Sequence, residues 1–281
     1  MLSQRETQQV EAANAGAGTP VVFIHGLWLL AGSWDPWGEL FAQSGYAPVA
    51  VDWPDDPPTV EQARAHPEVF AGKTVGQVAD HVSEVIAALT AKPVVVGHSF
   101  GGLFAQIAAG RGESLASVAI DPAPFRGVLP LPISALRTVM PVLANPLNRS
   151  RAISLTFSQF RYGWANALSE GEAHELHETL HVPGPGAPLF QAAVANFNPW
   201  TELKVDTRNP ERGPLLLISG GADHTVPHAM TKAAFDKQQR NLGPTELTEV
   251  PNRGHSLTID SGWMDVAERA LEFVSRFSSS S

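Results

Sequence analysis

The stretch of sequence that decides the fold is residues 94–102, VVVGHSFGG, in which a short apolar run leads into a G-x-S-x-G motif. The three valines predict a buried β-strand, and the small, apolar residues 100–109 predict a helix that begins directly after it. In such a strand–turn–helix the serine is strained and its hydroxyl stands above the sheet, because flanking glycines leave room where a Cβ would clash. Ser99 is therefore the candidate nucleophile.

The chain repeats this alternation of strands and helices on both sides of the motif. Short apolar runs predict six strands buried on both faces, over residues 21–24, 47–51, 94–96, 118–120, 215–218 and 247–250. Helical patterns lie between or after them, over residues 74–89, 100–109, 228–241 and 263–277. The alternation predicts an α/β fold in which helices cover both faces of a mostly parallel sheet.

One long segment interrupts the alternation. Residues 124–204 hold several short helical patterns broken by prolines and no convincing strand, so we interpret them as a helical insertion. The insertion divides the predicted core into residues 19–123 and 205–277. Residues 1–18 are expected to form a flexible N-terminal lead, and residues 278–281 a disordered tail.

The composition narrows the partners that the chain can have. The net charge is −9 and no stretch is rich in Lys or Arg, which argues against nucleic acid and against an anionic membrane surface. There is no cysteine, which excludes thiolate metal sites and a cysteine nucleophile. Without a signal-peptide pattern or a run of 18 apolar residues, we expect a cytoplasmic protein that acts on a small-molecule substrate. The oligomeric state is left open.

The candidate nucleophile needs a base, usually a histidine that a carboxylate orients. His255 lies in the loop after the last predicted strand, at the same C-terminal edge of the sheet as Ser99. Asp223 and Asp121 each follow a predicted strand, so either could reach the imidazole. Asp223 is favoured because two glycines before it let the chain fold back toward His255, whereas the prolines after Asp121 indicate a hinge.

The first predicted core strand is followed by HGLW, residues 25–28, which suits an oxyanion hole. Acyl transfer needs two N–H donors aimed at the developing alkoxide. We predict that Phe100 supplies one and Leu27 the other, and that Trp28 edges a substrate pocket. Trp34 and Trp37 are interpreted as core anchors.

Residues 177–181, HETLH, match the zinc motif H-E-x-x-H. Pro183 should end the helix just after the second histidine, and Ala187 stands where the longer motif requires a third one. We therefore predict no metal and no other cofactor, and interpret the segment as a polar helix of the insertion.

HGLW, GHSFGG, GGADHTVP and RGHS, in this order and spacing, resemble the α/β-hydrolase superfamily over residues 19–124 and 205–277. Within it the pattern is similar to esterases, lactonases and cofactor-free haloperoxidases or perhydrolases that carry a mobile helical lid. The resemblance implies a Ser99–Asp223–His255 triad and a lid, formed by residues 124–204, over the pocket. A serine at position 99 departs from the dehalogenase and epoxide-hydrolase branches, which use aspartate there.

Three functions of different classes fit these motifs. The first is a serine hydrolase that cleaves an ester or lactone, with amides and carbamates as further candidates, through an acyl-enzyme. The second uses the same triad as a haloperoxidase, a perhydrolase or a C–C bond hydrolase, and the third is a binding protein without catalysis. A moderately hydrophobic substrate is expected, because the insertion offers apolar residues for a pocket wall, namely Leu129, Leu131, Ile133, Leu136, Met140, Phe157, Phe160, Trp164 and Phe190.

Overall fold

A parallel six-stranded sheet lies at the centre of the computed structural model, which describes residues 1–278. The strands in chain order are β1 (Thr19–Ile24), β2 (Tyr46–Val51), β3 (Val94–His98), β4 (Ala116–Ile120), β5 (Ala152–Ile153), β6 (Gly184–Pro185), β7 (Leu215–Gly220) and β8 (Thr245–Val250). The main sheet has the order β2-β1-β3-β4-β7-β8, with every neighbouring pair parallel. The six predicted strands and the α/β fold class are confirmed.

Helices cover the sheet and make up most of the insertion. They are α1 (Gln4–Ala15), α2 (Asp35–Gln43), α3 (Val60–Ala65), α4 (Val75–Ala87), α5 (Phe100–Gly110), α6 (Ile133–Leu143), α7 (Phe157–Gly163), α8 (Glu170–Thr179), α9 (Ala187–Val194), α10 (His228–Gln238) and α11 (Trp263–Ser275). In the part of the chain that the structure describes, none of them is long and apolar enough to cross a membrane.

The four inner strands of the main sheet are buried on both faces, whereas the edge strands β2 and β8 are only partly buried, so the prediction of burial on both faces fails for β8. Successive residues of β1 enter different hydrophobic clusters. Val22 and Ile24 belong to a cluster that includes the apolar faces of α4 and α5. Val21 and Phe23 belong to a second cluster, with residues of α2 and α11. Trp37 of α2 is fully buried in this second cluster, in agreement with its interpretation as a core anchor. The sequence reading did not predict α2 or α3.

Residues 124–204 lie between β4 and β7 and are mainly helical, from α6 to α9. The structure differs from the expectation in one respect, since β5 and β6 form a short antiparallel ladder. Each of these strands has only two residues, which is too short to show a period of two in the sequence. Residues 279–281, which make up most of the predicted tail, lie outside the described residues.

The prediction of a flexible lead over residues 1–18 is corrected by α1, which packs on the core. Ser3 and Glu6 form a capping box at its start, and Glu6 is completely buried. The Glu6 carboxylate also accepts the Asp52 N–H at 3.1 Å and meets His81 Nε2 at 2.9 Å. The sequence pattern does not reveal the packing of this helix, because one of its buried residues is the acidic Glu6. Its burial depends on hydrogen bonds to residues far along the chain.

Replacement of Glu6 by alanine should lower the free energy of unfolding by about 1–3 kcal/mol, because it leaves buried donors without an acceptor. Glu11→Ala is the matched control, since Glu11 lies on the same helix and is exposed. Urea denaturation of both variants measures the difference. Equal midpoints for the two variants would contradict a structural role of the Glu6 carboxylate.

Candidate active site

Ser99 occupies the turn between β3 and α5 in a strained backbone conformation, with φ 57° and ψ −120°. Its N–H donates to the carbonyl of Ile120 at 2.9 Å, and its own carbonyl accepts the Ala123 N–H at 2.9 Å. A Cβ on Gly97 would overlap with the backbone of Gly101 and could not be accommodated. The turn therefore exists in this form only because the neighbouring positions lack side chains, as the motif predicts.

The structure brings Ser99, His255 and Asp223 into one hydrogen-bonded line. His255 Nε2 lies 3.0 Å from Ser99 Oγ, and His255 Nδ1 lies 2.6 Å from Asp223 Oδ2. The other oxygen of Asp223 accepts the N–H groups of Thr225 at 2.6 Å and Val226 at 3.0 Å. All three side chains are buried. A carboxylate oxygen that accepts from Nδ1 holds the Nδ1–H tautomer of the imidazole and leaves Nε2 free to accept from the serine hydroxyl.

Aromatic rings hold the imidazole of His255 on two sides. The indole of Trp164 meets it edge-on, with ring centroids 4.7 Å apart, and the ring of His98 lies 4.6 Å away. The carbonyl of Trp164 also accepts the Ser256 N–H at 3.1 Å. Neither ring nitrogen of His98 has a partner among residues 1–278, and burial, followed by the nearby His255, holds the pKa of His98 well below its usual value. His98 is therefore neutral.

Asp121, the competing acid, lies behind Asp223 and makes no hydrogen bond to His255. It is fully buried with φ 39°, and its Oδ1 accepts the Gly220 N–H at 2.8 Å. Its Oδ2 has no donor in the described part of the chain. Burial and then the charge of Asp223 raise the pKa of Asp121 well above its ordinary value. The structure thus places Asp223 against the imidazole and leaves Asp121 beside it, where burial favours the protonated form of Asp121.

This protonation state predicts a pH-dependent effect of Asp121→Asn on stability. Since the folded pKa is raised, the folded state binds a proton that the unfolded state has lost at neutral pH, so stability falls as pH rises above about 4. The amide mimics the protonated acid and avoids this loss. The melting temperature of the variant should therefore exceed that of the parent at pH 8, and the advantage should shrink toward pH 4.5. A difference that does not vary with pH would contradict the neutral state.

The predicted oxyanion residues lie beside Ser99. Gly26 packs so closely under the serine that a Cβ there would come within 2.7 Å of Ser99 Cβ, which brings the following residue, Leu27, to the site. Leu27, Trp28 and Phe100 line one cavity together with Ser99. Trp28 has a positive φ of 66°, and its Nε1–H donates to the carbonyl of Ile153 at 2.9 Å, which fixes the indole between core and insertion.

The cavity has a volume of about 190 Å³, and its wall is almost wholly apolar. The core contributes the residues just named, together with Ala123, Thr225, Val226 and Met230, and Pro124 is the first residue of the insertion to line it. The insertion contributes the remaining wall residues, Leu131, Ala135, Leu136, Thr138, Val139, Leu143, Leu189, Ala192 and Ala193. Most of this wall was not predicted, because neither the alanines nor the lining residues outside the insertion show a sequence pattern that indicates a pocket.

The predicted pocket wall is only partly correct. Leu131 and Leu136 line the cavity, but Phe160 and Trp164 are buried in the hydrophobic core, and Phe190 lines a neighbouring cavity. Leu129, which precedes α6, and Ile133 and Met140 of α6 are exposed by 75%, 85% and 43%, and Phe157 is partly buried against the core. The inward face of α6 includes Ala135, Thr138 and Val142, so its largest apolar residues do not all point the same way.

The HETLH segment is bound to the protein backbone. The helix α8 ends at Thr179, two residues before His181 and earlier than the end predicted from Pro183, so the second histidine of the motif lies outside the helix. His181 Nε2 accepts the Leu155 N–H at 3.2 Å, and His177 Nε2 lies 3.1 Å from the Leu155 carbonyl. Burial, followed by His177, lowers the pKa of His181 to about 3. Both rings therefore serve as backbone partners within the insertion.

Among residues 1–278, one group of side chains has the spacing of potential metal ligands, namely His98, Asp121 and His255. Both nitrogens of His255 already contact Asp223 and Ser99. This group therefore belongs to the hydrogen-bonded line and its surroundings.

The chain belongs to the alpha/beta hydrolase family, whose sequence model matches residues 21–269. The predicted fold and the predicted resemblance are thereby confirmed, and with them the assignment to the hydrolytic enzymes. No curated protein matches the chain in sequence.

Solved structures with the same fold include enzymes of several kinds. The monoacylglycerol lipase of Paleococcus ferrophilus is 20% identical with a TM-score of 0.63, over 93% of this chain and 97% of that one. The thermophilic esterase of Thermogutta terrifontis is 17% identical with a TM-score of 0.63, over 94% and 92%. The putative non-heme bromoperoxidase BpoC of Mycobacterium tuberculosis is 19% identical with a TM-score of 0.64, over 94% of each chain. At these identities the likeness is one of fold.

Proposed function

We propose that the protein is a serine hydrolase that cleaves an ester-type bond in a moderately hydrophobic small molecule. The observation that carries the proposal is the line from Ser99 Oγ through His255 to Asp223, with contacts of 3.0 Å and 2.6 Å, next to an apolar cavity. A serine hydroxyl in this arrangement can lose its proton to the imidazole as it attacks a carbonyl carbon.

In the proposed mechanism, Ser99 attacks the substrate carbonyl and His255 accepts the hydroxyl proton at Nε2. The resulting imidazolium is stabilised by the carboxylate of Asp223, and it then protonates the leaving group. The acyl group remains on Ser99 Oγ. Water attacks the acyl-enzyme in the second half of the reaction, with His255 again acting as the base, and the free enzyme is restored.

The oxyanion of each tetrahedral intermediate is proposed to accept the N–H groups of Leu27 and Phe100. Phe100 is the first residue of α5, whose four N-terminal N–H groups lack partners within the helix and carry partial positive charge. Leu27 approaches because Gly26 packs directly against Ser99. Donors fixed in place before the reaction stabilise the developing charge without reorganisation.

The cavity favours an apolar acyl or leaving group. Apart from Ser99, its lining side chains are all apolar except for Thr138 and Thr225, which bear hydroxyl groups. We propose that the insertion acts as a lid over this cavity, since α6 and α9 supply much of its wall.

Replacement of Ser99 by alanine should reduce kcat/KM for the best p-nitrophenyl ester about 10⁴- to 10⁶-fold while the fold is retained. A fluorophosphonate probe should label the parent and not the variant. Ser158→Ala, at an exposed position in α7, is the matched control and should keep both activity and labelling. Turnover of Ser99→Ala within tenfold of the parent would exclude the serine mechanism, and halogenation that needs peroxide and a carboxylic acid, without ester turnover, would favour a haloperoxidase.

The two buried aspartates should differ sharply in their effect on catalysis. Asp223→Asn is expected to lower kcat/KM on the order of 10⁴-fold, because an amide permits the wrong imidazole tautomer. Asp121→Asn should stay within about tenfold of the parent, since the amide resembles the neutral acid. If Asp121→Asn is the more damaging of the two, the acid of the triad has been assigned to the wrong strand.

A further inference from the structure

The charge of the protein is unevenly distributed along the chain. Residues 124–169 contain five arginines and no acidic residue, whereas the whole chain has a net charge of −9, so the remaining residues carry −14. The five arginines are Arg126, Arg137, Arg149, Arg151 and Arg161. All of them are exposed, and none forms an ion pair within the described residues. Exposed arginines without carboxylate partners leave positive charge available to a ligand outside the protein.

Large apolar side chains are exposed on the same part of the chain. Nine of the twelve exposed large apolar residues in the described chain lie in the insertion, at Leu129, Leu131, Ile133, Leu136, Met140, Leu147, Val194, Phe197 and Trp200. The two aromatic ones, Phe197 and Trp200, are 88% and 83% exposed. A concentration of exposed apolar side chains of this kind indicates a surface that contacts another apolar body.

Two of the arginines lie directly beside these aromatic residues. Arg126 Nη1 donates to the carbonyl of Pro199 at 3.3 Å, next to Trp200. Arg149 lines a cavity of about 240 Å³ together with Val194 and Trp200. Charge and apolar area therefore belong to one surface.

The carboxylates of the insertion offset the charge of this surface only in part, and none of them forms an ion pair with its arginines within the described residues. Glu202 lines the same cavity as Arg149, but it accepts the Gly76 N–H at 2.7 Å and the Gln191 amide at 2.6 Å. The remaining acidic residues lie on α8, which is anchored elsewhere by the Glu172 contact to the Ser261 N–H at 2.8 Å.

The side chain of Asn196 joins the two segments that carry this surface. Its amide oxygen accepts the Gly127 N–H at 2.6 Å, and its amide nitrogen donates to the Val128 carbonyl at 3.0 Å. Leu129 and Phe197, the residues that follow in the two segments, are thereby brought to one side. We refer to Arg126, Leu129, Arg149, Phe197 and Trp200 as the apolar–arginine face.

The same exposed region extends to the mouth of the cavity beside Ser99. Leu131 and Leu136 line that cavity and are also 64% and 40% exposed. An apolar chain that leaves a lipid surface at this point would enter the cavity without crossing a polar rim. This delivery of substrate depends on the proposed hydrolase function, whereas the exposure and charge of the face do not.

We propose that the apolar–arginine face docks on a lipid surface that carries anionic headgroups. Apolar side chains gain free energy by entering the acyl boundary, tryptophan prefers the interface itself, and arginines pair with the headgroup phosphates. A second copy of the chain is a poorer occupant, because a two-fold contact would bring the arginines of both copies into one interface with Glu202 as the carboxylate beside Arg149. The net charge of −9 predicts repulsion from such a surface. That charge describes the whole chain, however, whereas residues 124–169 carry five arginines and no acidic residue.

The test measures binding of the Ser99→Ala protein to vesicles, so that catalysis plays no part. Sedimentation should show binding to phosphatidylcholine vesicles containing about 30% phosphatidylglycerol, weak binding to phosphatidylcholine alone, and loss of binding in high salt. Added to Ser99→Ala, the pair Arg126→Glu and Arg149→Glu should weaken binding at least about 25-fold, or fivefold for each arginine. The pair Phe197→Ser and Trp200→Ser should abolish it.

Two control variants separate the face from general surface effects. Leu242→Ser removes a completely exposed leucine in the loop between α10 and β8, and Arg269→Glu reverses an arginine of α11. Both should bind vesicles as Ser99→Ala does. The proposal is overturned if no variant binds, if the controls lose binding as much as the face variants, or if sedimentation velocity without vesicles shows self-association that the Phe197 and Trp200 changes abolish. Failure of ester hydrolysis would leave this assay unaffected, so the two proposals are tested separately.

Discussion

The backbone conformation of Ser99 is the constraint on which the rest of the site depends. A positive φ at a residue with a side chain costs roughly 1–3 kcal/mol, and the surrounding structure must supply that energy. Here it comes from buried contacts: the Ser99 N–H is bound to the end of β4, and its carbonyl is bound to Ala123, where the chain leaves that strand. The absence of a side chain at Gly97 lets the first turn of α5 lie directly against β3. The position of the hydroxyl is therefore fixed by the core of the protein.

Buried polar groups surround the imidazole at this turn, and they differ in how many hydrogen-bond partners they have. Asp223 has backbone donors for one oxygen and the imidazole N–H for the other. Asp121 and His98 are equally deep but have fewer partners, and their pKa values move toward the neutral form, upward for the acid and downward for the base. Two like charges so close in a poorly solvated space would oppose one another. The neutral neighbours let a single carboxylate act on His255.

Features that local sequence patterns determine could be predicted, whereas features that depend on contacts between distant residues could not. Loops at the C-terminal ends of parallel strands meet at one edge of the sheet. The positions of Ser99, Asp223 and His255 after their strands therefore predict that the three residues lie close together. The helix α1 could not, because the buried position of Glu6 depends on Asp52 and His81. The pocket wall failed for a related reason. Leucines on α6 look equally suited to face inward or outward, and only the packing of the insertion decides which of them do so.

Trp164 makes the insertion and the core dependent on one another. It belongs to the insertion, yet its ring supports the imidazole of His255 and its carbonyl holds the next residue of the same loop. Recombination that exchanged this whole segment for that of a distant homologue would remove a support of His255 along with the cavity wall. Divergence of the insertion is thus restricted at this indole, and a graft that keeps residues 156–167 has a better prospect of preserving the site than one cut at the ends of β4 and β7.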